Sequence, residues 1–364
     1  MCQVGSIQIN NKMAYTVGIV GCTGAVGQEM IKTLHRRNFP TASLTLFASS
    51  RSAGKTADTP FGSLTIKLFS VEAARSCDVV FLAVSGTFAT EHAKNIAASP
   101  GGAIVIDNSS AFRYDDDIPL IVPEINMKAA ENKTLIANPN CTTAIAAVVL
   151  WPLHQQYGLK KVMISTYQSS SGAGAAGIEE LRKGTALCHT KNSKEIMNEC
   201  PATAFTYPLA FNVIPHIDSF QENGYTREEL KVMWETRKIF NIPDLPLSCT
   251  AVRVPTLRAH SESIIIETRD DITAQGAREL LAAAPGVLVK DDTSQNIYPM
   301  PLNASGCDDV EVGRIRQSLI FGAKGLELFV CGDQLLKGAA LNAVQIAEEM
   351  HKMNWLKRVG ESKE

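Results

Sequence analysis

The feature that most constrains this chain is a glycine-rich turn near its start. Gly18-Ile19-Val20-Gly21-Cys22-Thr23-Gly24-Ala25-Val26-Gly27 joins a β-rich run to an amphipathic stretch. Thr16–Val20 reads as a strand, and Val26, Met30, Ile31 and Leu34 then recur at helical spacing. Glycines at such a turn let backbone N–H groups approach a pyrophosphate, which rests on the positive end of the helix. The spacing is G-x-x-G-x-x-G rather than G-x-G-x-x-G, so a structural turn is the alternative reading. The strand–turn–helix context favours a nucleotide loop.

Leu44–Ala48, Leu64–Leu68, Asp78–Ala83 and Ala103–Asp107 read as further strands, with helix-like FATEHAKNIA between the last two. Continuous apolar strands alternating with helices are covered on both faces, which predicts a parallel, doubly wound α/β sheet. The pattern changes near residue 140. Thr142–Tyr157 is an apolar helix, and longer strands follow at Lys161–Gln168, Ala251–Val254, Ser261–Thr268, Val310–Leu319 and Leu326–Val330. Their alternating polarity predicts a mixed or antiparallel sheet in an α+β second domain. Gln334–Met353 is helical again, with Leu335, Leu336, Ala339, Val344 and Ile346 on its apolar side, and GESKE reads as a loose tail.

Composition removes several classes of function. With 35 Lys+Arg against 37 Asp+Glu, the chain lacks the basic excess of a nucleic-acid binder. No apolar run approaches the roughly 18 residues of a spanning helix, so no membrane insertion is expected. The opening MCQVGSIQINNKM has neither a basic segment with an apolar core nor an Arg-rich amphipathic pattern, and the expected location is cytoplasmic. Nine cysteines are scattered without C-x-x-C or zinc spacing, which predicts mostly buried thiols in a reducing compartment and no metal.

Three segments carry chemistry. After the second strand comes Ala48-Ser49-Ser50-Arg51-Ser52-Ala53-Gly54-Lys55. An NAD site would place a carboxylate here for the ribose 2′-OH; hydroxyls, Arg and Lys fit a 2′-phosphate instead, hence NADP, with a solvated basic turn as the alternative. Asn138-Pro139-Asn140-Cys141-Thr142-Thr143 opens the apolar helix, where the helix dipole favours thiolate, so Cys141 is a candidate nucleophile rather than a small buried hydrophobe. His260 lies between two predicted strands and is a base or a structural histidine. His35, His92, His154, His189 and His351 sit in polar helical contexts and read as surface residues.

TxGAVG, SSRSAGK, DNSSAFR, NPNCTT, STYQSSSGAG and RVPTLRAHSE occur in this order. Together they resemble the aspartate-β-semialdehyde dehydrogenase family from the first strand to the C-terminal helix. The resemblance implies a Rossmann-type NADP-binding domain over 1–140, completed by a C-terminal helix at 333–356. It implies an α+β catalytic and dimerisation domain with a mixed sheet over 141–332, assembled as homodimers or homotetramers. The implied reaction interconverts L-aspartate 4-semialdehyde plus phosphate with 4-phospho-L-aspartate (aspartyl phosphate), on the route to lysine, threonine, methionine and isoleucine. Cys141 would attack the carbonyl carbon, His260 would act as general acid/base, and Gln168 would orient the intermediate. Arg253 would grip the substrate carboxylate, Glu228 would meet its ammonium, and Lys231 and Arg113 would hold phosphate; Glu228 rather than Glu229 is the chosen register. For the cofactor, Thr23, Gly24, Ala25 and Val26 would cradle the pyrophosphate and Ser50, Arg51 and Ser52 the 2′-phosphate. Ser171 and Gly172 would lie near the nicotinamide, with Asn342 or Gln345 on its carboxamide. Competing readings are an N-acetyl-γ-glutamyl-phosphate reductase, which has no substrate ammonium for Glu228 to meet, a non-catalytic NADP-binding protein and a cofactor-free Cys hydrolase.

Overall fold

Two six-stranded sheets, one after the other along the chain, organise the computed structural model, which describes residues 14–356. The segment before Ala14, with Cys2, and the tail GESKE lie outside the described residues. Tyr15–Val20 (β1) leads into the helix Ala25–Arg36 (α1) and Thr41–Ala48 (β2). Thr56–Thr59 (β3) and Gly62–Thr65 (β4) form a hairpin, followed by Lys67–Leu68 (β5), Val79–Leu82 (β6), the helix Gly86–Ala97 (α2), Ile104–Asp107 (β7) and Leu135–Ala137 (β8). The sheet order is β5-β2-β1-β6-β7-β8, parallel throughout. β6 and β7 are buried at every residue, as strands between two helical layers must be. The chain winds outward from β1 on both sides, leaving a crevice at the carboxyl ends of β1 and β6. The expected strand Leu64–Leu68 is divided. Its first part closes the hairpin, Ile66 is buried, and only Lys67 and Leu68 pair with β2.

The helix Cys141–Tyr157 (α3) then passes to Leu159–Gln168 (β9), the helices Gly174–Cys188 (α4) and Arg227–Phe240 (α5), and Leu247–Arg253 (β10). His260–Thr268 (β11), Val287–Val289 (β12), Val310–Gln317 (β13) and Gly325–Gly332 (β14) complete the second sheet. Its order is β10-β9-β11-β14-β13-β12, parallel at both edges and antiparallel in the middle, so it is mixed as expected. α3 is buried from Thr142 to Leu150 because it packs on this sheet, on α5 and on the C-terminal segment.

That segment departs from a simple amphipathic helix. Leu336–Ala340 makes a π-helical turn that continues as Leu341–Lys352 (α6), and every residue from Cys331 to Val344 is buried. It lies between the halves: Val344, Ile346 and Met350 join Met30, Leu34 and Ile136 in one core, while Gly338 abuts Cys141. The cysteines also need a correction. Cys188 and Cys200 form a disulfide, because the two helices that end at Cys188 and Glu199 return the chain on itself. Cys22, Cys77, Cys249 and Cys331 are buried free thiols.

Buried Asp333 starts the C-terminal segment, accepting from Leu335 N (2.9 Å), Leu336 N (3.2 Å), Gly306 N (2.6 Å) and Arg258 Nε (2.6 Å). Asp333→Ala leaves three backbone donors without their acceptor. Urea unfolding should show a loss of about 2–4 kcal/mol.

Candidate active site

Sheet register assembles the site. β9 buries Val162, Ile164, Thr166 and Gln168, the row that faces α3, and exposes Ser165 and Tyr167. Arg253 on β10 pairs with Gln168, Ser261 on β11 pairs with Tyr167, and His260 pairs with Gly332 on β14. Arg253, Gln168 and His260 therefore end three adjacent strands on one face of the sheet, all buried. Gly332 lets α3 approach, since a Cβ there would lie 2.9 Å from Ile145.

Cys141 is the first residue of α3. Asn140 caps this helix by accepting from Thr142 N (3.0 Å) and Thr143 N (3.3 Å), and donates through Nδ2 to Glu228 Oε1 (2.9 Å). Glu228 also accepts from Gln168 Nε2 (3.2 Å) and Lys231 Nζ (3.1 Å), and Lys231 reaches Asp218 (2.6 Å). The neighbouring Glu229 accepts from Thr226 N (2.6 Å) and Ala251 N (2.9 Å), so Glu228 is the carboxylate that faces the site. Arg113 donates through Nε to Asn138 O (2.9 Å), through Nη1 to Glu235 (3.1 Å) and through Nη2 to Asn108 O (2.8 Å). Arg253 donates to Ser169 O at 2.7 Å.

The electrostatics correct the expected thiolate. Burial and the Glu228 charge push the Cys141 thiol up to about 12, against the opposing pull of Arg113 and Arg253. The helix terminus does not outweigh these effects, and sulfur in the protein alone is a thiol. Burial and Arg253 push His260 down to about 3, so its ring is neutral. Glu228 is held below the usual carboxylate range by Lys231, Asn140 and Gln168 despite its burial, and is anionic.

A cleft of about 310 Å³ runs from Gly24, Ala25 and Val26 past Arg113 to Cys141, Ser171 and Gly172. Gly172 is where the parts meet, since a Cβ there would lie 2.6 Å from Arg253 Nη1 and 3.4 Å from His260 Nε2. A second cavity, about 400 Å³, opens at the carboxyl ends of β1 and β2, beside Gly21, Thr23, Ser49 and Val84. The turn carrying Ser50, Arg51 and Ser52 follows, with Arg51 exposed and without an ion pair among the described residues. Gly21, at φ +85°, packs on Ala83 O. A Cβ at Gly24 would meet only Gly21 O, at an ordinary 3.5 Å, and the N-terminus of α1 has no side-chain cap. That leaves open N–H groups beside the cleft, an arrangement that fits a dinucleotide pyrophosphate.

Asn342 and Gln345 are not at this cleft. Asn342 is buried behind it, donating to Ile121 O (2.9 Å) and Asn138 Oδ1 (2.7 Å), and Gln345 accepts from buried Lys337 (2.8 Å). Gln334 and Leu335, just before the π-helical turn, and Gly338 and Ala339 within it line the cleft instead. Sequence reasoning missed Gln334, Asn108, Asn138 and Glu235; the last was legible, lying seven residues after Glu228 on the same helical face. Among the described residues no cluster of His, Cys, Asp and Glu could hold a metal, and no helix is long and apolar enough to cross a membrane.

Residues 16–133 match the model for the semialdehyde dehydrogenase NAD binding domain, and 150–337 match the semialdehyde dehydrogenase dimerisation domain. An aspartate-semialdehyde dehydrogenase of Synechocystis is 46% identical over 343 residues, covering 93% of this chain and 98% of the relative. The Bacillus subtilis enzyme is also 46% identical, with coverage of 93% and 98%. The chain belongs to the aspartate-semialdehyde dehydrogenase family. A solved family member, aspartate semialdehyde dehydrogenase II from Vibrio cholerae complexed with ASA, superposes with a TM-score of 0.86 at 38% identity, covering 94% of this chain and 99% of that one.

Within this family site, burial first and the Glu228 charge second raise the Cys141 thiol. Glu228→Gln removes that charge while leaving an acceptor for Asn140, so the Cys141 midpoint should fall from about 12. Thiolate absorbance or alkylation rate against pH checks the shift.

Proposed function

We propose that this protein catalyses the reversible, NADP-dependent conversion of 4-phospho-L-aspartate to L-aspartate 4-semialdehyde and phosphate, through a covalent adduct on Cys141. One observation carries the reading. The cleft that begins at the uncapped glycine loop ends at a cysteine with an anionic Glu228 and a cationic Arg253 close enough to shift its thiol in opposite directions. A small amino acid carries the complementary ammonium and carboxylate.

In the reducing direction the Cys141 sulfur attacks the acyl carbon and displaces phosphate, the thiol proton leaving with the phosphate as the thioester forms. NADPH bound along the glycine loop would supply the hydride. The resulting thiohemiacetal collapses, releasing the aldehyde and regenerating the sulfur. His260 faces the reacting oxygen as the acid/base group, and Gln168, tied to Glu228, orients the intermediate. Arg253 binds the substrate carboxylate and Glu228 its ammonium, which offsets the charge that raises the thiol. Arg113 and Lys231 serve the phosphate. Each Arg113 Nη still has one N–H beyond the bonds that anchor it. The Glu228 carboxylate disfavours an N-acetylated substrate. The family's dimerisation domain supports a homodimer, joined through the open face of the second sheet around Tyr167, Arg316 and Phe329. The work is placed in the cytoplasm, in amino-acid biosynthesis.

Phosphate-dependent reduction of NADP⁺ by aspartate semialdehyde, with N-acetylglutamate semialdehyde as the control, tests this. Cys141→Ala should reduce turnover to below a few per cent and leave NADPH binding nearly unchanged by fluorescence titration. Substantial residual turnover refutes the nucleophile. Arg51→Ala should raise KM for NADP⁺ about tenfold while leaving KM for NAD⁺ almost unaltered, the loss of one charge-assisted phosphate contact.

A further inference from the structure

Arg253 carries a buried guanidinium that has no ion pair among the described residues. Its Nη1 donates to Ser169 O at 2.7 Å, and Glu228 attracts it only through space. One hydrogen bond leaves the guanidinium free to swing about that contact. The edge formed by Nε–H and Nη2–H, the pair that can grip a carboxylate, meets no acceptor among the described residues.

An aromatic ring limits the swing. Arg253 Cζ lies over the ring of half-buried Phe205, 5.5 Å from its centroid. The negative face of a ring attracts a cation placed there, more strongly where water is kept away. Three contacts seat the ring. Its tip rests on Gly177 of α4, where a Cβ would lie 2.9 Å from Phe205 Cζ. The turn before it is held by buried Glu180 of α4, whose Oε2 accepts from Thr203 N (2.7 Å), Thr203 Oγ1 (2.7 Å) and Ala204 N (2.6 Å). Beyond it, Leu209 and Ala210 pack with Leu181 and Phe205, and Ile214 pairs with the Arg253 backbone in both directions (3.0 and 2.8 Å). Gly177, Glu180 and Leu181 share one face of α4 by helical spacing, and the Cys188–Cys200 disulfide ties the end of that helix to the returning chain. This lobe therefore grips Arg253 twice, at its backbone and at its head group.

We infer that Phe205 is a positioning residue for substrate recognition: its ring holds the Arg253 guanidinium so that the Nε/Nη2 edge stays presented to the substrate α-carboxylate. The inference deepens the reaction proposed above and rests on Arg253 binding that carboxylate. The ring face also offsets part of the cost of keeping a buried cation without a counter-ion until substrate arrives. The carboxylate is remote from the bonds that change, so it is held alike before and during the reaction. Losing the ring therefore acts on KM and spares kcat.

Phe205→Leu keeps an apolar side chain in the lobe and removes the ring. KM for aspartate semialdehyde should rise about tenfold with kcat nearly constant. With 3-aminopropanal, which has the ammonium and the aldehyde but no carboxylate, kcat/KM should be the same in both proteins. Site-specific replacement of Phe205 by 3-fluorophenylalanine and then 3,5-difluorophenylalanine keeps the shape and withdraws electrons from the ring face. KM should rise in steps along that series, which serves if the leucine variant does not fold. An unchanged KM in Phe205→Leu, or an equal loss with 3-aminopropanal, overturns the inference, because Phe205 would then only pack the lobe. A KM that ignores fluorination also overturns it. If the unsubstituted protein does not turn over aspartate semialdehyde with phosphate, the reaction itself fails and takes the inference with it; turnover with a KM indifferent to Phe205 defeats the inference alone.

Discussion

A buried ion pair between Arg113 and Glu235 joins the two halves of the molecule where the Cys141 helix begins. Glu235 is fully buried and Arg113 nearly so. Such a pair gains little over apolar packing, because desolvation cancels most of the attraction, but losing one partner costs about 3–5 kcal/mol. Its value here is geometric. Arg113 clamps the carbonyls of Asn108 and Asn138, while Glu235 accepts from Asn140 N at 2.6 Å. The loops after β7 and β8 are thereby fixed to α5, and Cys141 starts its helix at the seam. Lys238, one turn beyond Glu235, strengthens the seam by donating to the carbonyls of Arg113, Asp115 and Ile118.

The seam also explains why Cys141 stays a thiol in the protein alone. Burial makes the Cys141 sulfur costly to ionise, and Glu228 adds repulsion. Thiolate at a helix terminus is favoured where water or a cation can solvate it; here neither effect is large enough. In the proposed reaction activation would be coupled to substrate, since an ammonium on Glu228 would reduce the repulsion while Arg113 and Arg253 keep their attraction. The arrangement limits side reactions of the thiol without a moving part.

How much of this could be read from the sequence follows from the range of each interaction. Cys141 and the glycine loop were legible because strand–turn–helix punctuation is local, and the inner row of β9 was legible because polarity alternates. The state of the thiol was not, since it depends on Glu228, 87 positions away, and on burial that no local pattern reports. The same limit applies to the C-terminal segment. Helical periodicity suggested one apolar side, but packing between two halves buries Asn342 and Lys337 as well, and a π-helical turn changes which residues reach the cleft. Gln334 was invisible because the serine it bonds, Ser171, lies 163 positions away in sequence. The Cys188–Cys200 pairing depended on two short helices folding back on each other.

The register of the second sheet turns these distant residues into one site. The strand that carries Gln168 is fixed from both sides, by parallel pairing to β10 up to Gln168 and antiparallel pairing to β11 up to Tyr167. That register is held well below the site, where Ile164 lies opposite Cys249 and Ile264, and Val162 opposite Leu247 and Ile266, all in one core. A slip of one residue in any of the three strands would turn its inner row outward and carry Arg253, Gln168 or His260 to the wrong face. The energy that places the polar groups therefore comes mostly from apolar side chains that never touch substrate. Arg253, Gln168 and His260 can remain buried with few partners because the strands beneath them have no other register that keeps the core closed.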